Sequence, residues 1–401
     1  MIKRTALLAL LLSSCAAAPE AEAPAQKAHK DFLVLDTHID TPLHFGRPGW
    51  SFDGHHDPAT DLVQVDMERM IAGALDGGFF AIYTEQGPLT AKGYADALAY
   101  ARGRSDLIDA TLAKFPDRIG RALTPEDALR LNREGKLVAF KSMENSYELG
   151  EDVSLLKEFH DRGVRLAGPV HGASNQFADS SGDKPKWNGL SPLGRKWVAE
   201  MNRLGMVIDA SHSSDATFDQ MLELSKTPLL LSHSSGRWAF DHPRNLDDAR
   251  IRKLAAKGGA ICMSTIFLAT MNLTPERAAL FGKYEHISEL SPADQADLAR
   301  KWRELDKTQP MWGKADFERY MEMVLHVIKV AGVDHVCFGA DWDGGGGLPG
   351  IEDISALPKV TERLRKAGYG DADLEKMWSG NILRIVGEAQ RHAAAAQAGT
   401  P

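Results

Sequence analysis

Eight short apolar runs recur along the chain, each bounded by turn residues. They are FLVLDTHI (32–39), GFFAIYT (78–84), KLVAFKSME (136–144), VRLAGPVH (164–171), GMVIDASH (205–212), PLLLSHSS (228–235), GAICMSTIF (259–267) and HVCFGADWD (335–343). They are dense in β-branched and large apolar residues, as strands covered on both faces of a parallel sheet are. Helix-period segments lie between most of them. In SPLGRKWVAEMNRLG, Ser191 caps, Pro192 takes the first position, and Leu193, Trp197, Val198, Met201 and Leu204 form one stripe before Gly205 ends the helix. TPEDALRLNREG repeats that grammar with Thr124, Pro125 and Gly135. Eight strands alternating with helices predict an α/β chain folded as a (β/α)8 TIM-like barrel rather than an open doubly wound sheet. No Gly-rich phosphate fingerprint follows a strand, and GGGG at 344–347 lacks the Lys-Ser/Thr of a P-loop.

The seventh and eighth runs are separated by about 268–330, where LTPERAALFG and LSPADQADLARKWRELDK both open like helices. The reading is a helical excursion over one end of the barrel, a lid or an oligomer contact. A single catalytic domain is expected over 31–390 and a disordered tail over 391–401.

The N-terminus stands apart. MIKRTALLALLLSSC has a basic start, an apolar run and small residues, which reads as an export signal over 1–15. Its end is similar to a bacterial lipoprotein box with Cys15 as the lipidated residue; ordinary cleavage within CAAAPEA is the alternative. Residues 16–30 are Ala/Pro/Glu-rich and read as a flexible tether. The expected location is therefore the periplasm or, through a lipid anchor at Cys15, the membrane surface of a bacterium. A net charge of −8 with no basic stripe argues against nucleic acid as a partner. Cys262 and Cys337 sit in apolar runs and are expected to be buried thiols, since their spacing gives no support to a disulfide.

Polar residues fall where the strands stop. His38 and Asp40 follow the first run, Glu144 ends the third, and His171, His212 and His233 mark the fourth, fifth and sixth. Asp341 and Asp343 close the eighth. In a barrel these carboxyl-terminal ends converge on the face that carries the active site. Burying so many ionisable groups together is costly unless a cation compensates. Imidazoles with carboxylates and no thiolate motif suit zinc or a similar first-row divalent ion. Four histidines with one to three carboxylates exceed the needs of one ion that keeps an open position, whereas two ions sharing a carboxylate would use them. Taken singly, each residue has a plainer role: Asp40 as a turn residue before Pro42, His212 as a hydrogen-bonded strand end, and Glu148 as a competitor to Glu144. The joint pattern is what points to a metal centre.

At these residues the chain resembles the membrane (renal) dipeptidase family of zinc metallopeptidases. NRLGMVIDASH (202–212), LSHSSGRWAFDHPRN (231–245), AGVDHVCFGADWDG (331–344) and GNILRIVGE (380–388) carry the likeness, which spans most of 32–390. The resemblance implies a (β/α)8 hydrolase with two zinc ions. His38 and Asp40 would bind one, His212 and His233 the other, and Glu144 would bridge them. It further implies that His171 polarises the scissile carbonyl, that Arg244 holds the substrate carboxylate, and that Asp341 manages protons for a hydroxide shared by the ions. Dipeptides are the implied substrates, D-residues at the C-terminal side included, and a homodimer is the implied assembly. Two departures stand out: Thr37 and Ile39 flank His38 where the family often has Gly and Asn, and Asn145–Ser146 follow Glu144 in place of small residues. Two rival readings are a related metal-dependent amidohydrolase acting on acylated amino acids or lactams, and a non-catalytic surface-binding lipoprotein.

Overall fold

The computed structural model describes residues 32–399. The export signal, the lipoprotein box at Cys15 and the tether therefore lie outside the described residues. Nine strands follow in order: β1 (Leu35–Ile39), β2 (Gly77–Tyr83), β3 (Ile119–Arg121), β4 (Leu137–Glu144), β5 (Val164–Ala167), β6 (Val207–Ile208), β7 (Leu230–Ser234), β8 (Ala260–Met263) and β9 (Val336–Phe338). All strand pairs are parallel, in the orders β1-β2-β4-β5-β6 and β7-β8-β9. Parallel bridges Asp209↔Leu230 and Ile39↔Trp342 join the two sheets at both seams and close the barrel. Every apolar run named above supplies one barrel strand.

β3 is an addition to the expected set. It pairs with Leu137–Ala139 of β4, below the point where β5 joins at Lys141. Only Ile119 of its three residues is buried, so it carried no apolar signature.

The helices form as their sequences direct. Ser191 accepts from the amide of Gly194 at the start of Pro192–Leu204, and Gly205 ends it at φ +73°. Thr124 and Asp127 make a reciprocal capping box on Pro125–Arg133. Leu35, Phe79, Phe140, Leu166, Val207, Leu230 and both cysteines fill the barrel interior, where Phe79 and Phe140 stack at 4.7 Å. A larger apolar layer joins the barrel to its helices.

Two expectations are corrected. Cys262 and Cys337 form a disulfide. The parallel register of β8 and β9 sets them directly opposite each other, a tertiary pairing that a separation of 75 residues could not disclose. The tail expected to be disordered from 391 is instead the end of a helix, Asn381–Ala398. Its alanine-rich sequence has high helix propensity, and Ala389 and Ala393 are buried.

Between β8 and β9 the helices Pro275–Tyr284 and Pro292–Thr308 precede the barrel helix Phe317–Ala331. The first two have a small core of their own, with Leu62, Leu280, Ile287, Leu298 and Leu305. Buried polar contacts lock them to the β1 end: Arg47 chelates Asp61, donates to Gln295 Oε1 at 2.8 Å and meets His44 Nδ1 at 2.6 Å. His44 in turn meets the Tyr284 hydroxyl at 3.2 Å. No helix among the described residues is long and apolar enough to cross a membrane.

Candidate metal centre

Glu144 is the last residue of β4, and its two carboxylate oxygens face different neighbours. Oε2 lies 3.4 Å from His38 Nε2, which is itself 3.2 Å from Asp40 Oδ2. Oε1 lies 3.0 Å from His212 Nε2 and 3.3 Å from His233 Nε2. The donor atoms thus fall into overlapping groups, His38–Asp40–Glu144 and Glu144–His212–His233, each within 4.8 Å. A third, His38–His233–Asp341, places Asp341 on the same centre, with Oδ1 at 3.8 Å from His38 Nε2. His171 stands beside it, 4.0 Å from Glu144 Oε1 and edge-on to Tyr83. Glu148, the competitor, belongs to none of these groups; it is buried with both oxygens unpaired. Asp343 turns away from the centre and ties loops instead, accepting from the amide of Gln64 at 2.7 Å and the hydroxyl of Thr41 at 2.5 Å.

The backbone is bent to present these groups. His212, Asp341 and Asp343 all have positive φ, between 63° and 68°, as does Asn145 at 68°. Such conformations cost of order 1–3 kcal/mol each and persist where the surroundings over-determine them. Asn145 illustrates how. Its amide donates to the Thr84 carbonyl, and its oxygen accepts from the Tyr147 amide and the Asn175 side chain. Ser146 donates to the Gly168 carbonyl and accepts from Trp197 Nε1 at 3.0 Å. These bonds settle the loop after Glu144. Gly344 must lack a side chain, since a Cβ there would collide with the carboxylates of Asp40 and Asp341.

Electrostatics sort the imidazoles. Burial, followed by the Arg244 guanidinium and neighbouring histidines, holds His212 and His233 well below the usual range, so both are neutral. Burial also opposes charge on His38, but Asp40 and Glu144 overcome it and raise its pKa. Burial, then Asp40 and Glu144, push Asp341 up to about 8 against the pull of His38 and Arg244. Three carboxylates crowded out of water repel one another, a charge distribution that a divalent cation relieves. Both His38 ring nitrogens, Asp40 Oδ1 and Glu144 Oε1 have no hydrogen-bond partner. Orphaned buried donors of this kind, with neutral imidazoles among them, fit zinc coordination.

Behind His233 runs a hydrogen-bond chain that the sequence reading missed. Ser232 Oγ lies 2.8 Å from His233 Nδ1 and donates to Asp209 Oδ2. Asp209 Oδ1 accepts from the amides of Ser211 and Ser232, both at 2.9 Å. With its hydroxyl proton committed to Asp209, Ser232 accepts from Nδ1–H and leaves Nε2 free to bind a metal. The adjacency of Ser232 to His233, and of Asp209 to His212 three residues on, was the available signal.

The centre opens into a cavity of about 650 Å³, also lined by Tyr83, Tyr100, His242, Phe267, Phe281 and Trp312. Arg244, 7% exposed, points into it. Its guanidinium donates to Ser234 Oγ and the His233 carbonyl, and its Nε is unpaired. No carboxylate lies within ion-pair distance of it among the described residues. The excursion's Tyr284, Phe281, Met271 and Trp312 wall the cavity.

"Dipeptidase tcpJ" of Claviceps purpurea is 30% identical over 369 residues, covering 90% of this chain and 77% of that protein. The probable dipeptidase PvdM from Pseudomonas aeruginosa has 30% identity and a TM-score of 0.78, covering 92% of this chain and 98% of that one. A Rhodobacter sphaeroides metallopeptidase, solved with a phosphinate mimic of L-Ala-D-Ala, shares the fold at 22% identity and a TM-score of 0.71, covering 89% and 99%. The membrane dipeptidase family, peptidase family M19, matches over residues 22–400. With its barrel, its clustered donors and this match over nearly its whole length, the chain belongs to the membrane dipeptidase family and is a metal-dependent dipeptidase.

Proposed function

We propose that the chain hydrolyses dipeptides at a binuclear zinc centre. His38 and Asp40 would hold one ion, His212 and His233 the other, and Glu144 would bridge the pair. The observation that carries this reading is the divided Glu144 carboxylate, one oxygen toward each set of donors. When bound, the ions would supply Lewis acidity, lowering the pKa of an attacking water and polarising the scissile carbonyl.

The chain's own residues do the rest. Arg244, buried without an acidic partner, pairs with the C-terminal carboxylate of the substrate through its planar fork. That clamp selects short substrates, because a longer peptide has no charge at that depth. His171 donates a hydrogen bond to the carbonyl oxygen as negative charge grows there. Asp341, ionised once cations offset the charge of Asp40 and Glu144, takes a proton from the attacking water and delivers it to the departing amine nitrogen. The excursion helices limit the water that reaches the centre. C-terminal D-residues fall within the substrates we infer.

A panel of L,L- and L,D-dipeptides, assayed with and without chelator, tests the reaction. Arg244→Ala tests the clamp: kcat/KM should fall about 10²–10³-fold, the worth of a desolvated charge pair, with zinc content unchanged. Equal cleavage of dipeptides by that variant would mean that the substrate class is wrong.

A further inference from the structure

Phe267 is a bulky residue in a conformation that bulky residues avoid. Its φ is +51°, a genuine outlier for an aromatic side chain. Specific bonds impose it. The Phe267 carbonyl accepts from the Asn245 amide at 2.9 Å, and the preceding Ile266 carbonyl accepts from Ser235 Oγ at 2.9 Å. The ring is equally constrained. It stacks on His242 at 4.2 Å and 14°, and meets Trp312 edge-on at 5.4 Å. Trp312 is pinned by its Nε1–H to the Gly345 carbonyl. All three rings line the cavity.

The position of this wall gives it a meaning. His242 Nδ1 accepts from the backbone amide of Arg244 at 3.1 Å, so the stacked rings adjoin the backbone of the residue whose guanidinium faces the same cavity. A dipeptide with its carboxylate on Arg244 and its carbonyl at Glu144 places its C-terminal residue between the two. The side chain of that residue then meets the wall of Phe267 and Trp312. Strain held at a cavity wall, with a ring fixed by its neighbours, is the mark of a preorganised contact.

We propose that Phe267 is a specificity-determining residue for the C-terminal side chain, and that the preferred substrates are dipeptides carrying a large apolar or aromatic residue there. This rests on the dipeptidase reading and on Arg244 as the carboxylate clamp. The test compares kcat/KM for Gly-Phe and Gly-Leu, with either hand at the second residue, against Gly-Gly. The wild-type ratio should favour the bulky residue by at least tenfold. In Phe267→Gly, which keeps the positive φ without strain, that ratio should fall about 10- to 100-fold, the range set by one apolar contact in a pocket. Phe267→Ala should lose the ratio equally but melt at a lower temperature than Phe267→Gly, because alanine keeps the strain. An unchanged ratio in Phe267→Gly overturns the inference, as does a loss equal across the three substrates. A wild-type protein that cleaves none of them, with zinc bound, would instead overturn the dipeptidase reading.

Discussion

Ser232→Ala isolates the hydrogen-bond chain behind His233. The hydroxyl links two buried groups: His233, 1% exposed, and Asp209, 5% exposed. Its removal strips His233 Nδ1 of its partner at 2.8 Å. Asp209 loses one donor but keeps the amides of Ser211 and Ser232, so its charge stays solvated by the backbone. The damage is concentrated on the imidazole. Its tautomer and ring angle are no longer fixed, and Nε2 is not held toward the Glu144–His212–His233 group. Partners behind a metal ligand are typically worth 10- to 100-fold in affinity, or about 1.4–2.8 kcal/mol.

The expected result is an uneven loss. On the two-zinc reading proposed above, the ion at His212 and His233 should bind about 10–100 times more weakly in competition with a chromophoric chelator, while the one at His38 and Asp40 keeps its affinity. Stability of the metal-free protein should drop by only about 1 kcal/mol, since one neutral hydrogen bond is lost. Asp209→Asn, which leaves a weaker acceptor in place, should fall between wild type and Ser232→Ala. Two zinc ions bound by Ser232→Ala as tightly as by wild type would refute the reasoning.

Two further predictions concern the barrel itself. Burial raises Asp76 to about 6 from 3.8, against the single amide of Val34 that it accepts from at 2.8 Å. A carboxyl raised in the folded state costs nothing below the unfolded pKa, and its penalty builds as pH rises through 3.8 to about 6. Asp76→Asn should therefore raise the melting temperature at pH 8, by an amount equivalent to at most about 3 kcal/mol, and leave it unchanged at pH 3; an equal shift at both would contradict the argument. The disulfide spans 75 residues, so Cys262→Ala with Cys337→Ala should cost up to about 4 kcal/mol in denaturant unfolding. Ready alkylation of both cysteines in the unreduced, unfolded wild type would show that the bond is not formed.

The sequence disclosed what repeats and what is chemically costly. Apolar runs long enough to be covered on both faces located every barrel strand, and unneutralised histidines and carboxylates at their ends located the centre. Other features escaped for separate physical reasons. β3 is too short and too exposed to carry a pattern. The disulfide depends on the β8–β9 register, which only the closed barrel fixes. The chain behind His233 uses Ser232 and Asp209, residue types so common at strand ends that their closeness in sequence to His233 and His212 is a weak signal until their atoms are seen to touch. Phe267 was visible only as the end of an apolar run; its positive φ follows from bonds to Asn245, 22 residues away.

The placement of strain also explains why a barrel serves this chemistry. His212 and Asp341 sit at positive φ just beyond β6 and β9, and neither strand exceeds three residues. Short strands could not hold such conformations alone. They are held by closure: Asp209 bridges to Leu230 at one seam, and Ile39 to Trp342 at the other. The Asp40 amide also donates to the Trp342 carbonyl at 2.8 Å, while the His212 carbonyl accepts from the Ser181 amide at 2.8 Å. Each bent residue is therefore fixed by a segment distant in sequence, and the penalty is spread through the parallel ladder. An open sheet lacks one of the two seams, and at that seam the ligands would relax away from Glu144. Closure of the barrel and convergence of the donors are in this sense a single structural fact.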